Sequence, residues 1–116
     1  MAGAPQFECR ISRKHGRAVC ALTGELDLMT APRMRRELRP LLDDAGVRNL
    51  TFDLADLRFV DSSGLQALID FRRELDTRGA TMAVVRPQRT VRMVLRMMGL
   101  EDVLAASDGP TSNRAD

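Results

Sequence analysis

The residues best suited to chemistry in this chain are Asp61-Ser62-Ser63-Gly64, an acid, two hydroxyls and a glycine where an apolar segment turns into a helix. Upstream, Leu50-Thr51-Phe52-Asp53-Leu54 alternates apolar and polar residues as a half-buried strand does. Downstream, Leu65, Leu68, Ile69 and Leu75 recur at helical spacing. At such a seam Asp61 or Ser62 can accept hydrogen bonds from the orphan N–H groups of the first helical turn. A phosphate in the same position would meet the positive end of the helix dipole. The seam therefore has two readings, a structural cap or a serine set out for modification. Serine and aspartate are common at helix starts, so spacing alone favours the cap.

Other chemistries fit poorly. A nucleophile elbow needs Gly-x-Ser-x-Gly, whereas Ser62 lies in Val60-Asp61-Ser62-Ser63-Gly64 and the single histidine, His15, falls in a distant turn. No glycine-rich stretch ends in Lys-Ser or Lys-Thr, and the one lysine, Lys14, belongs to the same turn. Glu25, Asp27 and Asp61 can gather near the helix start, but an acid cluster without a raised pKa is not an active site. One histidine and no Cys-x-x-Cys pair argue against a metal site. We expect no enzyme and no cofactor. What remains is an exposed hydroxyl beside carboxylates. Phosphate there adds nearly two negative charges that the helix dipole partly offsets, so the fold should survive. A docked partner must bury that charge without a matching cation, so modification should switch binding off.

The elements that carry the seam can be read along the chain. At 116 residues, with 44% hydrophobic and 29% charged residues, the chain suits one globular domain with one core. No apolar run is long enough to span a membrane and the N-terminus lacks a secretory signal, so a cytoplasmic location without membrane contact is expected. The formal charge of +2 says little about partners, and the absence of Trp and Tyr argues against a nucleic-acid surface. Phe7–Ile11 and Ala18–Leu22 read as an antiparallel hairpin turning near His15-Gly16. Cys9 and Cys20 would then be reduced, strand-borne thiols not directly opposite each other, so a bridge is not expected.

Thr30 is placed to cap a first helix through Met34, Leu38, Leu41 and Leu42, in which Pro40 should force a kink or a break. Leu50–Leu54 is a third strand, with 55–60 as its connection to the seam. A second helix over about Ser63–Arg78 and a fourth strand over Ala80–Val85 imply a right-handed crossover and a parallel pair. A third helix over about Gln88–Met98 turns Val91, Val94, Leu95 and Met98 inward. It turns Met93 and Met97 outward, beside a stripe of Arg89, Arg92 and Arg96. Val103-Leu104 could add an edge strand. Residues 1–6 read as a flexible terminus and 105–116 as a disordered tail, leaving 7–104 as the domain.

Gly24-Glu25-Leu26-Asp27 with Thr30-Ala31, followed by Phe59-Val60-Asp61-Ser62-Ser63-Gly64-Leu65, resembles the bacterial STAS domains of anti-sigma factor antagonists. The resemblance runs over roughly 7–104, to the helix ending in Met98-Gly99-Leu100. It implies an α/β fold: a single STAS-like domain whose mixed four- to five-stranded sheet carries helices mainly on one face. It further implies partner switching. The unphosphorylated protein binds an anti-sigma factor that is also a serine kinase, freeing the sigma factor. The kinase phosphorylates the antagonist, which lets go, and a serine phosphatase resets it. By this resemblance Ser62 is the phosphoacceptor. Ser63 and Gly64 match the next two positions of the motif, and Asp27 matches the acid of the loop near that serine. Asp27, Asp61, Ser62, Ser63 and Gly64 are thus the expected partner-binding residues of a protein monomeric when free. Leu28-Met29 is more apolar, and the overall charge more basic, than in many relatives. The alternative is a STAS scaffold or sensor subunit that binds a nucleotide, a lipid or a stress complex without a sigma switch.

Overall fold

Alternation of apolar and polar residues is sustained for ten residues in Arg17–Leu26, where Ala18, Cys20, Leu22, Gly24 and Leu26 are all buried. The computed structural model describes residues 6–108, with side chains through Leu104. In order they form β1 (Glu8–Lys14), β2 (Arg17–Leu26), α1 (Ala31–Leu42), β3 (Asn49–Val60), α2 (Ser62–Thr77), β4 (Thr81–Val85), α3 (Arg89–Met97) and α4 (Glu101–Asp108). The sheet has four strands in the order β1-β2-β3-β4. β1 is antiparallel to β2, whereas β2–β3 and β3–β4 are parallel. The mixed sheet expected from the sequence is thus present.

In register, Ala18, Leu50 and Met82 form one buried row and Cys20, Phe52 and Val84 the next. Helices cover that face. Met34 and Leu38 of α1 and Leu68 and Leu75 of α2 are fully buried against it, and the Phe71 ring stacks on Phe52 with centroids 6.1 Å apart. The alternate positions carry polar groups, including the Asn49–Thr81 hydrogen bond and the Asp53–Arg86 ion pair. One face holds the core and the other meets water. Across α1 and α2, Arg39 grips Glu74 with two nitrogens and Arg35 pairs with Asp70. The α2 and α3 helices stop at left-handed Gly79 and Gly99, followed by the buried Ala80 and Leu100. The N–H groups of Ala80 and Leu100 reach back to Leu75 and Leu95, the geometry that ends a helix without strain only at glycine.

Several expectations need correction. β3 does not end at Leu54 but continues to Val60, so 55–60 is strand rather than connection. Register shifts opposite Ala21/Thr23 and Gly24/Glu25 give β3 two extra residues. These bulges stretch the spacing of its buried residues from two (Leu50, Phe52, Leu54) to three (Leu57, Val60), which hides the strand from a period-two reading. Pro40 neither breaks nor restarts α1. It sits in the last turn, where Asp43 N–H still reaches Arg39 O at 3.0 Å, and it deprives only the exposed Arg36 of a carbonyl partner. Thr30 occupies the N-cap position of α1 without giving a side-chain cap.

Toward the C-terminus, Met98 caps α3 and is 54% exposed instead of lying in the core. Val103 and Leu104 are buried residues of helix α4, not an edge strand. That helix runs to Asp108, into the stretch expected to be a tail from Ala105. The rest of that tail, and residues 1–5 of the expected flexible terminus, lie outside the described residues.

Truncating Phe52 to Ala removes a fully buried ring together with its stack on Phe71. Urea titration should show a loss of about 3–5 kcal/mol. Acid should weaken the fold for a separate reason. The Gly46 N–H and the Arg13 guanidinium hold Asp44 below the usual carboxylate range. Asp70 is lowered by Gln66 and Arg35. At Asp53 burial opposes ionisation, yet Arg86 and the Ala55 N–H outweigh it. Depressed carboxylates contribute fully above the unfolded value of about 4, and that contribution is lost as pH falls through the folded values. The stability measured against pH should therefore drop on the acid side of about pH 4, and Asp53→Asn should flatten the drop.

Candidate functional site

The end of β2 and the start of α2 meet at Asp61. Its backbone N–H donates to Leu26 O at 3.1 Å, which holds the extended residue against the last residue of β2. Its Oδ1 accepts from Gly64 N at 3.0 Å and so caps α2, while its Oδ2 accepts from Leu28 N at 3.0 Å. The cap is therefore Asp61 and not Ser62, which settles which of the two closes the helix. Gly64 makes the approach possible. A Cβ added there would lie 2.6 Å from both Leu26 O and Leu26 Cγ, so only a residue without a side chain lets α2 rest on β2.

Ser62 is the first residue of α2. It is exposed, and its hydroxyl makes no hydrogen bond among the described residues. Ser63 is half-buried. It borders a shallow groove with Leu28, Ala31, Pro32, Arg35 and Gln66. The loop after β2 is fixed by Asp27, whose Oδ1 accepts from the N–H groups of Met29 and Thr30, both at 3.0 Å. Asp27 N–H in turn donates to Thr30 Oγ1 at 2.9 Å, and that hydroxyl donates to Glu25 O at 2.8 Å. Thr30 is thereby committed to the loop, the reason it does not cap α1.

The three acids do not form one cluster. Asp27 is engaged by its own turn, Asp61 by two N–H groups, and Glu25 by the Arg58 guanidinium at 3.2 Å. No group of three His, Cys, Asp or Glu able to hold a metal occurs among the described residues. His15 lies at the other end of β2, in the hairpin turn with φ 58°. The structure thus joins the Asp27 loop to Asp61, Ser62, Ser63 and Gly64, and leaves Glu25 and His15 out.

Large apolar side chains are exposed on the segments that meet at the seam. Leu28 and Met29 are 68% and 82% exposed, and Phe59, two residues before Asp61, is 48% exposed. Sequence reasoning noticed Leu28-Met29 but gave Phe59 no part in the site. The signal was the three-residue spacing of Leu54, Leu57 and Val60, which turns Phe59 outward. Met93 and Met97 are outward as expected, at 55% and 79% exposure.

Residues 8–114 match the family model of the STAS domain. The chain belongs to the STAS-domain family. This STAS domain is 29% identical over 101 residues to an anti-sigma F factor antagonist of Paenibacillus polymyxa, covering 85% of this chain and 86% of that one. Its fold superimposes with a TM-score of 0.73 on the unphosphorylated form of the anti-sigma factor antagonist SpoIIAA, at 26% identity over 84% of each chain. Against the phosphorylated form of SpoIIAA from Bacillus the TM-score is 0.69, at 25% identity over 84% of this chain and 86% of that one. The Paenibacillus polymyxa relative and SpoIIAA are both anti-sigma factor antagonists. No helix among its described residues is long and apolar enough to cross a membrane.

Because the Asp61 carboxylate serves both the helix and the loop, Asp61→Ala should cost about 1–2 kcal/mol in urea unfolding, and Asp61→Asn less. Gly64→Ala should cost about 1–3 kcal/mol by overpacking against Leu26, measured in the same way.

Proposed function

We propose that this STAS domain is an anti-sigma factor antagonist switched by phosphorylation of Ser62. In the bare state it binds an anti-sigma factor that is also a serine kinase, and the sigma factor is released. The kinase transfers the γ-phosphoryl group of ATP to Ser62 Oγ. ADP departs, and the hydroxyl proton passes to a base on the kinase. The modified antagonist dissociates, and a serine phosphatase restores it. The antagonist itself is a substrate and a binding partner, not an enzyme. It acts in the cytoplasm, as a monomer when free, without contact with nucleic acid or membrane.

One observation carries this reading: the Ser62 hydroxyl is exposed and unbonded on a helix already capped by Asp61. A structural cap would have its oxygen engaged. Here the hydroxyl can be modified without costing the helix its cap. The phosphate would sit in the first turn of α2, where the helix dipole favours negative charge and offsets repulsion from Asp61. The similarity to both forms of SpoIIAA suits a switch that leaves the fold in place.

In the partner-binding surface, Asp27, Asp61 and Gly64 shape the loop and the helix start, while Ser62 and Ser63 face the partner. Leu28, Met29 and Phe59 offer the apolar area that a protein contact needs. A dianion at such a contact is costly to bury without a cation, the physical basis for release.

The test combines the protein with the anti-sigma kinase and ATP, read by intact mass, site mapping and calorimetry. One phosphate on Ser62 is expected. Ser62→Ala should keep its affinity in the presence of ATP, while Ser62→Asp should bind at least about tenfold more weakly, equivalent to about 1.4 kcal/mol. Equal affinity of the two variants, or a Ser62 that the kinase leaves bare, would overturn the switch and leave the scaffold reading.

A further inference from the structure

Away from the seam, two thiols meet inside the β1–β2 hairpin. The register pairs Cys9 with Leu22 and Ile11 with Cys20, so the cysteines are diagonal neighbours, not directly opposite, in keeping with the sequence. They are free thiols. Both point to the core face of the sheet, and their Sγ atoms are 2.8 Å apart. Diagonal neighbours on an antiparallel pair lie within reach of each other when their side chains turn together. A disulfide needs about 2.05 Å, so closure takes the sulfurs only ~0.8 Å nearer.

We propose that Cys9 and Cys20 are a reversible dithiol–disulfide site, with Cys9 oxidised first by a hydroperoxide and Cys20 as the resolving thiol. The asymmetry comes from their surroundings. Cys9 is on the edge strand and half-buried, whereas Cys20 is fully enclosed between β1 and β3. The hydrogen bond from Cys20 lowers Cys9 below the ordinary thiol value despite burial and the Glu37 carboxylate, and Arg33 adds to the lowering. Donation of that hydrogen bond and burial push Cys20 upward. Of the two, the more accessible Cys9 sulfur is the readier to ionise, and the thiolate is the nucleophile.

The step balances with hydrogen peroxide as the oxidant. The Cys9 thiolate attacks one peroxide oxygen and the O–O bond breaks. Cys9 becomes a sulfenic acid, and the departing hydroxide takes a proton to become water. Cys20 sulfur then attacks Cys9 sulfur. The S–S bond forms, the S–O bond breaks, and the second hydroxide leaves as water with the Cys20 proton. Two thiols are oxidised by two electrons and one peroxide is reduced to two waters. A small dithiol reverses the reaction by exchange. The bond would lock the edge strand β1, which pairs with only one neighbour, to β2.

The experiment treats the full chain with hydrogen peroxide and follows intact mass, peptide mapping without reductant, and thermal melting. The expected result is a loss of two hydrogens per chain, a crosslinked peptide pair holding Cys9 and Cys20, and a melting temperature raised by several degrees, on the order of 5 °C. Dithiothreitol should reverse all three. Cys9→Ser, a change on the edge strand, should abolish the mass loss and leave Cys20 unoxidised in the folded protein. Cys20→Ser should leave a Cys9 sulfenic acid that dimedone captures. Three results in the unsubstituted protein would overturn the proposal: dimedone-captured Cys9 without a bridge, bridges between chains, or no loss of hydrogen. None of these readouts involves Ser62 or a partner, so the switch at the seam and the thiol pair stand or fall separately.

Discussion

A single carboxylate ties together the parts of the site. Asp61 accepts from Gly64 N with one oxygen and from Leu28 N with the other, while its own N–H is held by Leu26 O. The last residue of β2, the loop that follows it and the first turn of α2 are thereby fixed to one another. Each bond satisfies a backbone group that would otherwise be orphaned at a helix start or in a loop. The seam is rigid because its polar backbone groups have partners, and Ser62 is available because Asp61 already caps the helix.

The sheet explains why the seam lies where it does. β2 and β3 are parallel and end together, with Leu26 opposite Val60. The loops that leave them, one toward α1 and one into α2, therefore emerge side by side at the carboxyl ends of the strands. In open sheets this is where functional groups collect. Two bulges lengthen β3 so that Val60 reaches that end and Phe59 turns outward. Phe59 there borders α3 beside Thr90, Val91 and Val94, while Leu28 shares a groove with Ser63. The same hairpin that supplies β2 buries Cys20 and half-exposes Cys9 at its other diagonal, a thiol contact independent of the seam.

The strongest local patterns were also the most readable. The hairpin, the parallel β3–β4 pair and the helices before Gly79 and Gly99 follow from alternation, from helical spacing and from glycine at helix ends. Those signals lie within a few residues of what they specify. The candidate site was legible as a motif, and its central part, Asp61 through Gly64, is contiguous. The role of each member was not. Asp61 and Ser62 are equally plausible caps until the chain on the other side of the loop is in view. Glu25 stands with Asp27 in the sequence, but the nearby Arg58 takes it away. Thr30 has the composition of a cap and instead ties the loop to Glu25 O.

The sequence by itself determined the order of the elements as far as α3, the half-buried alternation of the strands and a hydroxyl at a helix start. Each of these is set by periodicity or by a local backbone preference. Only the tertiary structure decided how far β3 extends, which oxygen caps α2, that Gly64 must lack a Cβ against Leu26, and that two cysteines eleven positions apart share a hydrogen bond. The physical reason is range. Bulges, caps shared between segments and diagonal contacts depend on the register between strands, and register is fixed by packing many side chains at once.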